Sequence, residues 1–166
     1  MSSSLPPRFK PLDPPLKIVL VEPDIPHNTG SIARSCAAVG AELHLVEPLG
    51  FQLTDKHMKR AGLDYWEHVT LVRHRSLDQF LEHAADDRKF FFTTKGDRVY
   101  QDIVYQPGDY LVFGSETRGL PLGRLEQFKD DFVVIPMAED RVRSLNLSVS
   151  AGIALYQALN SIGGGA

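Results

Sequence analysis

Three short stretches of this chain combine residue types that handle ligands rather than fill a core. The first is Glu22-Pro23-Asp24-Ile25-Pro26-His27-Asn28-Thr29-Gly30, with Arg34 one helical turn further on. The second is Leu111-Val112-Phe113-Gly114-Ser115-Glu116-Thr117-Arg118-Gly119-Leu120-Pro121. The third is Ile135-Pro136-Met137, followed by Arg143-Ser144-Leu145-Asn146-Leu147-Ser148. Arg34 carries a planar fork of donors, suited to an anionic oxygen pair. Its ordinary pKa of about 12.5–13.8 makes it a poor proton acceptor. Gly114 and Gly119 permit close backbone approach or positive φ, which an ordinary turn at a strand end also uses. Asn28, Ser144 and Asn146 are equally suited to holding loops together, capping helices or touching a ligand.

Several chemistries are excluded by the same residues. No strand leads into a G-x-G-x-x-G fingerprint, and no lysine-serine/threonine pair closes the Gly114–Gly119 loop as a phosphate loop would. Ser115 as a nucleophile needs a positioned histidine, and the spacing brings none of the six histidines beside it. The single cysteine, Cys36, rules out an internal disulfide and any cysteine-clustered metal site, and a reducing, cytoplasmic setting fits; that no metal is needed is what the family resemblance given below implies. Cys36 reads as a small packed helix residue. With 18 basic and 21 acidic residues the net charge is −3, against a protein that coats nucleic acid through bulk charge. Basic pairs remain at Lys59 and Arg60, Arg73 and Arg75, and Arg141 and Arg143. No apolar run approaches the roughly 20 residues of a membrane helix, so no membrane partner is expected.

The elements that must position these residues alternate. Short apolar runs over 17–21, 43–46, 69–72, 90–93, 110–113 and 132–135 predict strands. Between them, helices are expected from Asn28 or Thr29 to Val39 with Gly40 as terminator, over 54–61, from a Ser76/Gln79 capping box to Ala84, over 122–128, and over 146–160. This is an α/β domain with a mostly parallel sheet flanked by helices. Such sheets bind ligands at the carboxyl ends of their strands, which is where the three stretches fall. Residues 1–15, rich in serine and proline, read as a disordered arm, 16–162 as the domain and 163–166 as a flexible tail. The last helix carries one apolar stripe through Leu147, Ala151, Ala154, Leu155, Ala158 and Leu159 and another through Val149, Ile153 and Tyr156. Apolar character on two sides predicts burial on both, either wholly within the domain or, as the family resemblance given below implies, against a second subunit in a homodimer using Ile153 and Tyr156.

Taken together the three stretches resemble the three motifs of the SPOUT superfamily of RNA methyltransferases, most closely the TrmL (YibK-like) branch of tRNA wobble-nucleotide 2′-O-methyltransferases. Lys59-Arg60-Ala61-Gly62-Leu63-Asp64-Tyr65 and Thr93-Thr94-Lys95-Gly96 also look like that branch, and Val149 departs from it. The resemblance covers about residues 18–160 and implies an α/β fold with a C-terminal trefoil knot. It implies S-adenosyl-L-methionine as cofactor and methylation of the ribose 2′-hydroxyl of a wobble cytidine or carboxymethylaminomethyluridine in tRNA. A cofactor pocket would involve Phe92, Thr93, Gly114, Glu116, Gly119, Ile135, Met137, Ser144 and Leu145. Arg34, Ser144, Asn146, Glu116 and Asn28 would carry catalysis, with Glu116 sensing the cofactor's positive charge or orienting substrate. RNA would meet Arg34, Lys59, Arg60 and Arg143. Competing readings are a related enzyme for another tRNA or rRNA ribose, and a catalytically silent RNA-binding α/β protein.

Overall fold

The computed structural model describes residues 10–54 and 66–163. Lys59 and Arg60, most of the helix expected over 54–61, and the tail from residue 164 lie outside them. Seven strands form one sheet: β1 (Lys17–Val21), β2 (Glu42–Val46), β3 (Thr70–His74), β4 (Lys89–Phe92), β5 (Arg98–Val99), β6 (Tyr110–Phe113) and β7 (Phe132–Val134). Their order is β3-β2-β1-β6-β4-β7-β5, and every neighbouring pair is parallel. Chain order reverses between β1 and β6, which opens a crevice at their carboxyl ends.

Among the described residues three helices flank the sheet: α1 (Pro26–Val39), α2 (Leu77–His83) and α3 (Leu147–Gly163). The pleat divides the core. Ile18, Leu20, Leu43 and Leu45 point to one face, where Ile32, Ala33 and Cys36 of α1 meet Ala151, Ala154, Leu155 and Ala158 of α3. Val19, Val21, Val46, Phe91 and Val112 point to the other, against Leu77 and Phe80 of α2 and Leu125. Each fully buried large apolar side chain contributes about 1.5–3 kcal/mol. Cys36 is packed as expected, and burial pushes its thiol up to about 12. Of the arm expected over 1–15, residues 10–15 are described, and Leu12 packs partly buried against the first face.

Several boundaries differ from expectation for local reasons. Helix α1 begins at Pro26, whose fixed φ suits the first helical position, so neither Asn28 nor Thr29 is its cap. Residues 122–128 do not form one helix but two 3₁₀ turns, Leu122–Arg124 and Glu126–Asp131. β5 has two residues, too few to register as a period. The Ser76 cap is as expected, with Gln79 N donating to Ser76 Oγ at 3.1 Å.

The second face has a polar edge. His44 and His74 are buried, and His44 Nδ1 lies 2.9 Å from His74 Nε2. His44 Nε2 lies 2.9 Å from Glu42 Oε1, which can only accept. With both rings neutral, His44 therefore donates to Glu42 through Nε2 and accepts from His74 through Nδ1. Burial holds both imidazoles below their ordinary pKa, and His74, also facing His44 and His83, is pulled down to about 4.

Candidate functional site

A cavity of about 680 Å³ opens at the carboxyl ends of the central strands. Its walls come from the segments after β1, β4, β6 and β7 and from the start of α3. The segment after β6 doubles back on itself. Gly119 N donates to Ser115 O at 2.9 Å, Arg118 N donates to Ser115 Oγ at 3.0 Å, and residues 115 and 119 form an antiparallel bridge. A Cβ on Gly114 would lie 2.0 Å from the Gly119 carbonyl carbon, so no other residue fits there. Gly119 adopts φ 67, and a Cβ there would meet nothing within 4 Å. The backbone of this cavity-lining turn therefore stands open to a ligand.

A chain of side-chain hydrogen bonds ties the three motifs together. Glu116 accepts from Asp24 N at 3.0 Å, from Ile25 N at 2.7 Å and from Asn28 Nδ2 at 3.3 Å. Ile25 occupies the cap position of α1 without a capping side chain of its own, so Glu116 satisfies amides there from more than 90 positions away. Asn28 Oδ1 in turn accepts from Asn146 Nδ2 at 3.4 Å. Asn146 Oδ1 accepts from Ser148 N at 2.9 Å and Val149 N at 3.3 Å, the pattern of a helix cap on α3. The loop after β1 is further fixed by Thr117 Oγ1, which donates to Asp24 Oδ2 at 2.6 Å. Glu22 in that loop sits at φ 52, a left-handed conformation that costs a non-glycine residue on the order of 1–3 kcal/mol.

Phe92, Thr93, Gly114, Glu116, Gly119, Ile135, Met137, Ser144 and Leu145 all line this cavity, as do Asn28, Arg143 and Asn146. Arg34 does not line it; it is exposed on α1, two turns beyond the helix start. Ile153 and Tyr156 lie away from the cavity on α3, where Tyr156 and Val149 are about half exposed while the other stripe is buried from Ala151 to Leu159, with Leu147 partly buried at the cavity. Sequence reasoning missed Lys95, Thr117 and Arg118 as lining residues. Their adjacency to nominated positions was the available signal.

The donor set suits a nucleoside-bearing cofactor such as S-adenosyl-L-methionine. Cavities of roughly 300–1,000 Å³ hold such molecules. Leu120, Ile135, Met137, Leu145 and Leu147 give apolar walls, while the open turn at Gly119 offers backbone groups for a base edge. Among the described residues, no group of three His, Cys, Asp or Glu side chains could hold a metal ion.

Comparison with known proteins agrees with this geometry. Residues 15–156 match the SpoU rRNA Methylase family. A tRNA (cytidine(34)-2′-O)-methyltransferase from Saccharophagus degradans is 48% identical over 147 residues, covering 88% of this chain and 95% of the relative. A structure solved to explain 2-OH methylation of C/U34 on tRNA is 46% identical with a TM-score of 0.81, over 88% of this chain and 95% of that one. The SpoU methyltransferase AviRb of Streptomyces viridochromogenes, solved in complex with AdoMet, is 27% identical with a TM-score of 0.76, over 89% of this chain and 57% of that one. In its sheet, its motifs and nearly its whole length, the chain belongs to the SpoU rRNA methylase family.

Proposed function

We propose that this protein is an S-adenosyl-L-methionine-dependent methyltransferase acting on the ribose 2′-hydroxyl of the wobble nucleotide of tRNA, a cytidine or carboxymethylaminomethyluridine. The observation that carries the reading is the cavity at the carboxyl ends of β6, β4 and β7, with three motif loops joined through Glu116, Asn28 and Asn146. The relatives named for C34 methylation, similar across nearly their full length, support the choice of nucleotide.

The cofactor, when bound, supplies an electrophilic methyl group. This chain must hold the ribose oxygen in line with that methyl and exclude water. The hydrogen-bonded motif loops do this by fixing the walls relative to one another. In this reading Ser144 and Asn146, which line the cavity just ahead of α3, meet the target ribose. Arg34 grips the phosphate beside the target ribose and stabilises negative charge developing on the 2′ oxygen, and the proton leaves to that phosphate or to water. Because Arg34 lies outside the cavity of its own subunit, the reading includes a homodimer, formed through the exposed face of α3 around Val149, Ile153 and Tyr156. It also includes the family's C-terminal knot and a cytoplasmic setting, where the tRNA substrate is.

The test is transfer of a labelled methyl group to tRNA lacking native modifications, followed by mapping of the modified ribose. Label at position 34 supports the reading; label at another ribose, or none, overturns it. Arg34→Lys keeps the charge and loses the fork. The expected result is a large fall in transfer with cofactor binding nearly unchanged; transfer at the parent rate refutes bidentate phosphate recognition. A monomeric mass by light scattering at micromolar concentration refutes the dimer.

A further inference from the structure

The charge around the cavity mouth runs opposite to the charge of the chain. Of the charged residues that line it, Lys95, Arg118 and Arg143 are cations and Glu116 alone is an acid. Both oxygens of Glu116 are engaged by the Asp24 and Ile25 amides and Asn28. The whole chain, by contrast, carries a net charge of −3. Several arginines elsewhere on the surface are matched: Arg88 faces Asp109, Arg98 faces Asp131 and Arg124 faces Asp78. Among the described residues Lys95 and Arg143 form no ion pair. Arg118 is held only loosely, with Nη2 3.9 Å from Asp24 Oδ1 and 63% of its side chain exposed. An exposed pair of this kind is worth at most about 1 kcal/mol, so the guanidinium can exchange onto another anion.

These cations are carried on segments that leave three separate strand ends. Arg118 follows β6, Lys95 follows β4 and Arg143 follows β7, and those three strands are consecutive in the sheet. Neighbouring strands lie about 4.8 Å apart, so the three strand ends from which these segments leave span roughly 10 Å. A stacked nucleic-acid strand presents one phosphate per about 3.4 Å, so a span of that width faces more than one phosphate.

We infer that Lys95 and Arg118, with Arg143, form a phosphate track that carries the RNA strand across the cavity mouth. The inference rests on the reading that the substrate is RNA and adds to it which side chains hold the backbone. Asp24 and Thr117 serve as the leash that keeps Arg118 over the mouth in the absence of RNA. The competing ligand for these cations is the carboxylate of the cofactor.

The experiment measures the salt dependence of binding for the parent, Lys95→Ala and Arg118→Ala. The probes are unmodified tRNA and, separately, an unstructured RNA oligonucleotide; binding of the demethylated cofactor is followed by calorimetry. For each variant the slope of log K against log salt concentration should fall in magnitude by about 0.7, the value for one phosphate contact on a single strand. RNA binding should weaken at least several-fold, with cofactor affinity within twofold of the parent. Unchanged slopes on both RNAs overturn the track. A tenfold loss of cofactor affinity with unchanged slopes overturns it in favour of the carboxylate. Failure of the tRNA reading looks different: the parent then leaves position 34 unmethylated, while the slope change on the oligonucleotide still decides the track. Thermal melts of both variants confirm that the fold is retained, as the exposure of both side chains leads one to expect.

Discussion

Two polar networks cross this sheet, and they are used in opposite ways. At the mouth, Glu116, Asn28 and Asn146 join three loops that are distant in sequence, and their outer members border open space. At the far edge, Glu42, His44 and His74 join two adjacent strands, and both imidazoles are buried, His44 with both ring nitrogens engaged. The mouth network is long-range and frames a cavity. The edge network is local and fills a space that Val or Leu would fill in most sheets. Polar groups that position a site carry their value into chemistry, whereas polar groups that close on themselves carry it only into stability.

Breaking the mouth network should have the largest effect. Glu116→Ala strands two backbone donors and the Asn28 amide. A misplacement of catalytic walls by about 1 Å costs on the order of 100-fold in rate, and the lost acceptor costs about 2 kcal/mol of stability. Methyl-transfer assays and denaturant melts read the two effects separately, and Glu116→Gln, which keeps one acceptor, should recover part of both. Equal activity of the alanine variant and the parent would mean the loops are held by something else.

Breaking the edge network should move stability and leave chemistry alone. His44→Leu leaves the His74 donor without its acceptor and should cost about 2–3 kcal/mol. Changing both His44 and His74 to Leu should cost less than the single change, because no buried polar group is then orphaned. Transfer per folded molecule should stay within twofold of the parent in either case. A hundredfold loss of transfer in the double variant would erase the distinction between the two networks.

The edge also sets a pH dependence. His74 titrates near 4 when folded and near 6.5 when unfolded, so the unfolded chain binds more protons between those values. Stability from this group is complete above about pH 6.5 and is lost as pH falls towards 4, by on the order of 2 kcal/mol. Denaturant midpoints across that range should show the fall, and the double leucine variant should flatten it. The smallest expected effect is at Ser76→Ala, which removes the α2 cap on the edge side; about 1 kcal/mol of stability should go with no change in transfer.

What could be read from sequence follows the same division between local and distant. Strand β1 at Lys17–Val21 and strand β6 at Tyr110–Phe113 were legible to the residue, because a buried parallel strand is a continuous apolar run. The cavity walls were legible because glycines, amides and a carboxylate cluster after such runs. Helix α1 misled because the amides just ahead of it, at Asp24 and Ile25, are satisfied by Glu116, and no local pattern announces a partner that far away. His44 and His74 gave no signal either. Two histidines thirty positions apart become one hydrogen-bonded pair only through the β2–β3 register. The placement of Arg34 outside the cavity was equally hidden, since a helix position fixes direction but not distance to loops that arrive later in the chain.

The contact between Asn28 and Asn146, 118 positions apart, also has a consequence in time. At a synthesis rate of about 5–20 residues per second, on the order of ten seconds separates the appearance of the two partners. Throughout that interval the nascent chain displays its first motif with no far wall to close it. The nascent polypeptide therefore cannot join its first motif to its third until Asn146 has been made.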